Sequence, residues 1–314
     1  MDKPEIISLF AFFGKFPDEE SARLHFEAGR WGAHGVFCPH CGSYGVAEVK
    51  NHKPMPYRCK DCRKHFSVRT GTILEQTRLP LRKWLMAIYM MTTARKGIPS
   101  TQMAKELGIT QKSAWFLAQR IREAWLTKDN GDAPAGSEPL TGELEVDETF
   151  IGGKESNKHA NKKLNGGRGT SGKAIVIGMK QRSGKVIAKP IADTTRKTLH
   201  AFINDNAAWG AKVYTDDHPS YKGLTSVNHS SVNHSSGEYV RKQAHTNGIE
   251  SFWALLKRGH YGIYHYMSTK HLHRYINEFA NRHNTAKLGT MQFIAATMGG
   301  MQNRRLTYKE LIRA

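Results

Sequence analysis

All four cysteines of the chain fall between positions 38 and 62, as Cys38-x2-Cys41, seventeen further residues, then Cys59-x2-Cys62. Each CxxC turns tightly enough to aim two thiolates at one point, and two such knuckles make a tetrahedral all-sulfur cage for one zinc ion per chain. Pro39 and Gly42 stand where the first knuckle has to turn. A redox role fits poorly, because there are two pairs and no βαβ pattern beside them. A closed four-thiolate site keeps no open coordination position, so this zinc is expected to be structural. His40 and His65 lie nearby and are not needed as ligands.

The acids suggest a second kind of chemistry. Asp147 lies in an alternating segment (ELEVDETFI), Asp216 ends a short apolar run, and Glu250 follows 34 positions later at the head of a helical pattern. Three carboxylates from separate elements can converge on two divalent ions about 4 Å apart, which clamp the attacking and leaving oxygens of a phosphodiester. Magnesium suits such a site because it takes few carboxylates and keeps waters for substrate, and manganese can replace it. Each acid alone also fits a structural role. Glu145 shares a face with Asp147 and can stand in for it, and Asp216 can start a turn with Asp217 and Pro219. Glu250 can complete a capping box with Asn247 as N-cap. The three together, in this order, favour the metal reading.

These residues need elements to hold them. Pro17 to Glu20 opens a short helix with Asp18 as its cap, and Val46, Val49 and Tyr57 mark ribbon strands between the knuckles. Residues 76–125 carry nine Lys/Arg against two Glu, and their apolar spacing predicts helices over about 81–94, 101–107 and 111–125. The last two, joined through Gly108, make a helix-turn-helix whose second helix would present Gln111, Lys112, Ser113 and Arg120 to DNA. A plain helical core piece is the other reading. Residues 128–141 (KDNGDAPAGSEPLT) are a linker. Beyond it, strands over 143–151, 173–180, 185–192 and 212–216 alternate with helices over 198–209, 246–257 and 268–283. The division expected is a helix and zinc ribbon over 1–75, a helix-turn-helix over 76–127, the linker, and a catalytic domain over 142–314. The fold class expected is α/β, a mixed ribonuclease H-like sheet flanked by helices.

The segments EVDETFIGGK, VYTDDHPSY and HTNGIESFWALLKRG resemble the catalytic blocks of bacterial insertion-sequence transposases of the DDE type, in particular the group with a zinc ribbon ahead of the nuclease domain. CPHCG and YRCKDCRKHFSVRTGT upstream, and HLHRYINEFANRHN downstream, extend the resemblance over nearly the whole chain. It implies a ribonuclease H-like fold, with Asp147, Asp216 and Glu250 as the metal-binding triad. It also implies that Lys257, on the same helix face as Glu250, holds the element's end. Asn247 occupies a position that some relatives draw into the site. The activity implied is cleavage at terminal inverted repeats and transfer of the 3′-OH to target DNA, by a homodimer or larger complex. One feature departs from the family: Ser226 to Ser236 (SVNHSSVNHSS) is a tandem pentapeptide, read as a duplicated surface loop carrying His229 and His234.

Composition narrows the classes further. The formal net charge is +20, which calls for an anionic partner, and double-stranded DNA fits best. The basic stretch Lys154 to Lys173 is expected to order on that DNA. The longest apolar run, Trp84 to Met91, has eight residues, far short of the roughly 20 that span a bilayer. The acidic start lacks a signal peptide's pattern, and four cysteines cannot scaffold a disulfide fold, so a bacterial cytoplasm is expected. Two competitors remain: a DNA-binding regulator derived from a transposase but without activity, and a stand-alone nuclease or resolvase. The intact triad opposes the first, and about 125 residues of N-terminal reader oppose the second.

Overall fold

The structure is a computed structural model that describes residues 4–49, 51–126, 138–153, 159–163, 172–182, 184–232 and 245–313. The chain divides into two compact units, one of residues 1–125 with 287–314 and one of residues 126–286.

The first unit opens with α1 (Leu9–Lys15) and α2 (Glu19–Trp31). Asp18 caps α2 as expected, its carboxylate accepting the Ser21 amide at 2.8 Å while the Ser21 hydroxyl returns a bond to the Asp18 backbone. A three-stranded antiparallel ribbon follows: β1 (Val46–Glu48), β2 (Tyr57–Cys59) and β3 (His65–Phe66). Then come α3 (Leu81–Thr93), α4 (Ser100–Leu107) and α5 (Gln111–Ala124). Gly108 ends α4 at φ +58°, a left-handed conformation that glycine adopts without a Cβ penalty, and Thr110 caps α5. Cys38, Cys59 and Phe66 of the ribbon share one buried core with Phe26, Trp31, Trp84 and Leu117. The ribbon and the helices after it are therefore one packed body, not the separate pieces 1–75 and 76–127.

The second unit is built on a five-stranded mixed sheet. It contains β4 (Glu143–Ile151), β5 (Ala174–Gln181), β6 (Val186–Ile191), α6 (Arg196–Asn206), β7 (Lys212–Asp216), β8 (Asn228–Val232), α7 (Asn247–Gly259) and α8 (Leu272–Asn284). The strand order is β6-β5-β4-β7-β8; β4 runs antiparallel to β5 and parallel to β7. Side-chain alternation sends Leu144 and Val146 to one face, where they pack with Leu199, Phe202 and Ile203 of α6. On the other face Ile151 and Val176 pack with Ile249, Phe252 and Trp253 of α7 and Phe279 of α8. Acids at odd positions of β4 therefore face α7.

Two expectations are corrected here. The first VNHS copy is not a loop but edge strand β8, parallel to β7 with Asp216 opposite Val232. Its Asn, His and Ser residues look like loop, yet buried Val227 and Val232 at its ends anchor it. His229 is half-buried, 2.9 Å from the Thr215 hydroxyl, and burial pushes its pKa below the usual value. His234, the linker core and most of the 154–173 stretch lie outside the described residues. Secondly, α9 (Thr290–Gly299) and α10 (Tyr308–Ile312) return to the first unit, where Phe293, Ile294 and Met298 join its core. The Trp125 indole donates to Thr297 Oγ1 at 2.9 Å. The sheet-bearing unit thus stops near residue 286 instead of running to 314.

Candidate functional site

The ribbon brings the four cysteines together as their spacing requires. Sγ of Cys38 lies 3.6 Å from that of Cys62, and the same distance separates Cys41 and Cys59. All four sulfurs fall within 4.8 Å of one another. A tetrahedron with Zn–S bonds of about 2.3 Å has S···S edges of about 3.8 Å, so the cage fits zinc closely. Cys38 and Cys59 are fully buried, and the Cys38 sulfur also accepts the His40 amide.

Asp147 sits in mid-β4 opposite Gly178 of β5, half-buried and facing α7. Its Oδ2 accepts a hydrogen bond from Trp253 Nε1 at 3.0 Å. Burial raises its carboxyl to about 7, and the charges of Glu148, Asp216 and Glu250 push the same way. Asp216 ends β7, two residues beyond the Glu145–Tyr214 register pair, which sets it beside Asp147. Its Oδ1 accepts the His218 amide at 3.1 Å. Glu250 is exposed in the first turn of α7 and accepts from the Thr246 hydroxyl at 2.8 Å. A carboxyl held in its protonated form by burial and by neighbouring carboxylates is one that a nearby divalent cation would relieve. Among the described residues only the four thiolates gather within 4.8 Å. The three carboxylates do not gather that closely.

Glu145, the alternative to Asp147, is committed elsewhere. It is buried, its Oε2 accepts the Ile249 amide at 2.9 Å, and its Oε1 pairs with Arg182 at 3.3 Å and His245 at 3.4 Å. This bond also corrects the capping expectation. Thr246 occupies the N-cap position of α7, Asn247 is the exposed first helical residue, and Glu145 reaches across from β4 to take an orphan amide. Lys257 is half-buried two turns along α7. Sequence reasoning missed Glu148. It is half-buried, raised to about 7 mainly by burial, and faces the fully buried Tyr221, whose phenol it helps hold well above the usual value. The signal was present: Leu144, Val146 and Glu148 alternate onto one face, which puts an acid at a core position.

Residues 139–284, ending with α8, match the ISXO2-like transposase domain. Residues 17–65, which hold α2, the ribbon and all four cysteines, match the transposase zinc-ribbon domain. The chain belongs to the insertion-sequence transposases with an N-terminal zinc ribbon. A curated relative, the "Uncharacterized protein in transposable element ISH50" of Halobacterium salinarum, is 29% identical over 242 residues, covering 73% of this chain and 79% of that protein.

In this transposase, α3 to α5 lie between the two matched regions. Gln111 and Lys112 are exposed at the start of α5, and Ser113 is half-buried. Arg120 contradicts its expected place on the exposed face. It is buried, with its guanidinium 5.2 Å from the ring centres of both Trp84 and Phe116 and donating to the Glu75 carbonyl at 2.6 Å. Nine residues at 100° each carry it half a turn away from Gln111, into the core. Arg120→Ala therefore lowers the unfolding free energy of the first unit by about 2–3 kcal/mol, read from a denaturant midpoint, by losing cation–π contacts and leaving a void. No helix among the described residues is long and apolar enough to cross a membrane.

Proposed function

We propose that the chain is the transposase of a mobile element, binding the terminal inverted repeats, hydrolysing the strand at each element end and joining the new 3′-OH to target DNA. The observation that carries this reading is that Asp147 on β4 feels the charges of both Asp216, at the end of β7, and Glu250, in the first turn of α7. Numbered from β4, the sheet has order 3-2-1-4-5 with only the second strand reversed, which supports a ribonuclease H-like fold. The α4–α5 pair, with its short turn and exposed Gln111 and Lys112, supports a helix-turn-helix reader.

Asp147, Asp216 and Glu250 would hold two magnesium ions, or manganese in their place. When bound, such ions activate the attacking oxygen and neutralise the leaving one. The chain's own groups prepare that site. The His218 amide orients Asp216, and the Thr246 hydroxyl orients Glu250. Lys257 contributes positive charge toward the phosphate, where charge develops in the transition state. Two ends have to be joined, so the working form is a homodimer or larger complex on DNA, in the cytoplasm.

The test is a duplex carrying the element's own ends, incubated with the full chain and magnesium. The expected product is a nick that leaves a 3′-OH at the element end, and none with chelator. Selective end-binding with no cleavage under any divalent ion would instead establish the inactive regulator.

The crowded acids also set a pH dependence. Because Asp147 and Glu148 are raised to about 7, the folded chain binds protons that the unfolded chain lacks between about pH 4 and 7. Native stability therefore falls as pH rises through that window. A bound cation offsets this cost at high pH and competes with protons at low pH. Magnesium at 100 times its Kd adds about 2.7 kcal/mol, roughly 5–10 °C in Tm. That rise is expected at pH 8 and nearly absent at pH 5, read by thermal scans.

A further inference from the structure

We propose that Trp253 is a positioning residue for Asp147, seated in a notch that Gly178 leaves in the sheet, and that its indole N–H sets the carboxylate's affinity for divalent metal. The proposal rests on reading Asp147 as a metal-holding carboxylate.

Three observations converge on this side chain. Its Nε1 donates to Asp147 Oδ2 at 3.0 Å. The residue opposite Asp147 across the β4–β5 ladder is Gly178. A Cβ on Gly178 would lie 2.6 Å from Trp253 Cη2 and 2.7 Å from Cζ2, so the benzo edge of the indole fills the space that any other residue would occupy. Trp253 itself is buried in the core between the sheet and α7.

The indole N–H is a donor only and does not titrate, so it holds one carboxylate oxygen at every pH. With Oδ2 tethered, rotation of the carboxylate is restrained, and Oδ1 is held toward one position. Trp253 also lies three residues after Glu250 on α7, so both side chains project from neighbouring turns of one face. One ring therefore fixes the carboxylate of β4 relative to the helix that carries Glu250. Packing alone would be satisfied by phenylalanine. Hydrogen-bond partners that orient ligating groups commonly change metal affinity by about 10–100-fold when removed.

The experiment measures manganese binding to the full-length protein by calorimetry, beside element-end binding and cleavage. Trp253→Phe removes the N–H and keeps a ring. Replacement of Trp253 by β-(3-benzothienyl)alanine changes the N–H to sulfur and keeps the bicyclic shape, so it carries the test if the phenylalanine variant does not fold. The expected result is a roughly 10-fold weaker manganese Kd and a matching rise in the magnesium needed for half-maximal cleavage, with end-binding unchanged. Wild-type manganese affinity in either folded variant overturns the proposal. Asp147→Asn runs in parallel: if it binds manganese as tightly as wild type, Asp147 is not a ligand. The functional reading then fails separately from the role of Trp253.

Discussion

Stripping the zinc, or replacing Cys59 with serine, is expected to unfold the first unit. Cys38 and Cys59 are fully buried in the core that holds Trp31, Phe66 and Trp84, so the metal sits inside the packing and not beside it. Structural zinc contributes about 10–16 kcal/mol of apparent binding energy, as much as the whole stability of an ordinary domain at about 5–15 kcal/mol. Without it, four sulfurs within 4.8 Å are left to share protons, and the two knuckles lose the tie that joins them beneath the shared core. Elemental analysis should find one zinc per chain. A chelator, or Cys59→Ser, should abolish the thermal transition of the first unit and expose α2 and α3 to protease. A metal-free protein with an intact first unit would refute the cage.

The other large effect is catalytic. Asp147→Asn, Asp216→Asn and Glu250→Gln keep side-chain size and remove the charge proposed to hold magnesium. Each is expected to lower end cleavage by at least about 10³-fold, in line with losses of single transition-state-stabilising groups in other enzymes. Binding to the element ends should stay at the wild-type level, because affinity for DNA comes from basic side chains. Asp217→Asn should be close to wild type, since Asp217 is exposed and lies past the end of β7. Asn247→Ala should cost under about 0.5 kcal/mol, because the exposed first helical residue does not cap α7. Single-turnover cleavage and mobility shifts on the same duplex separate these outcomes.

What the sequence made legible was local. The paired CxxC spacing led to the sulfur cage, and alternation in ELEVDETFI matches β4 at both ends, Glu143 and Ile151. Asp147 and Asp216 fall on the two strand segments read from the sequence, whereas the adjacency of β4 and β7 comes from the sheet order, which no local pattern carries. What stayed hidden depends on contacts distant in sequence. The pattern in 290–299 cannot reveal that Phe293 and Ile294 pack in the first unit, beyond the whole sheet-bearing segment. Edge strand β8 is mostly polar because only Val232 among its residues is buried, so periodicity has nothing to report. The charge of Arg120 points to an exposed face, but helical spacing sets it with buried Leu117 and Ile121, and aromatic rings let a guanidinium stay buried. The cap on α7 came from Glu145, 104 positions away, which no local capping rule can find.

The proposed three-acid metal site is the centre of this mechanism, and anomalous diffraction from crystals soaked in manganese tests it most directly. The expected map has manganese peaks about 2.0–2.3 Å from the carboxylate of Asp147, shared with Asp216 or Glu250. Peaks confined to Glu145 or Glu148, or none in the second unit at manganese concentrations that support cleavage, would contradict the three-acid site.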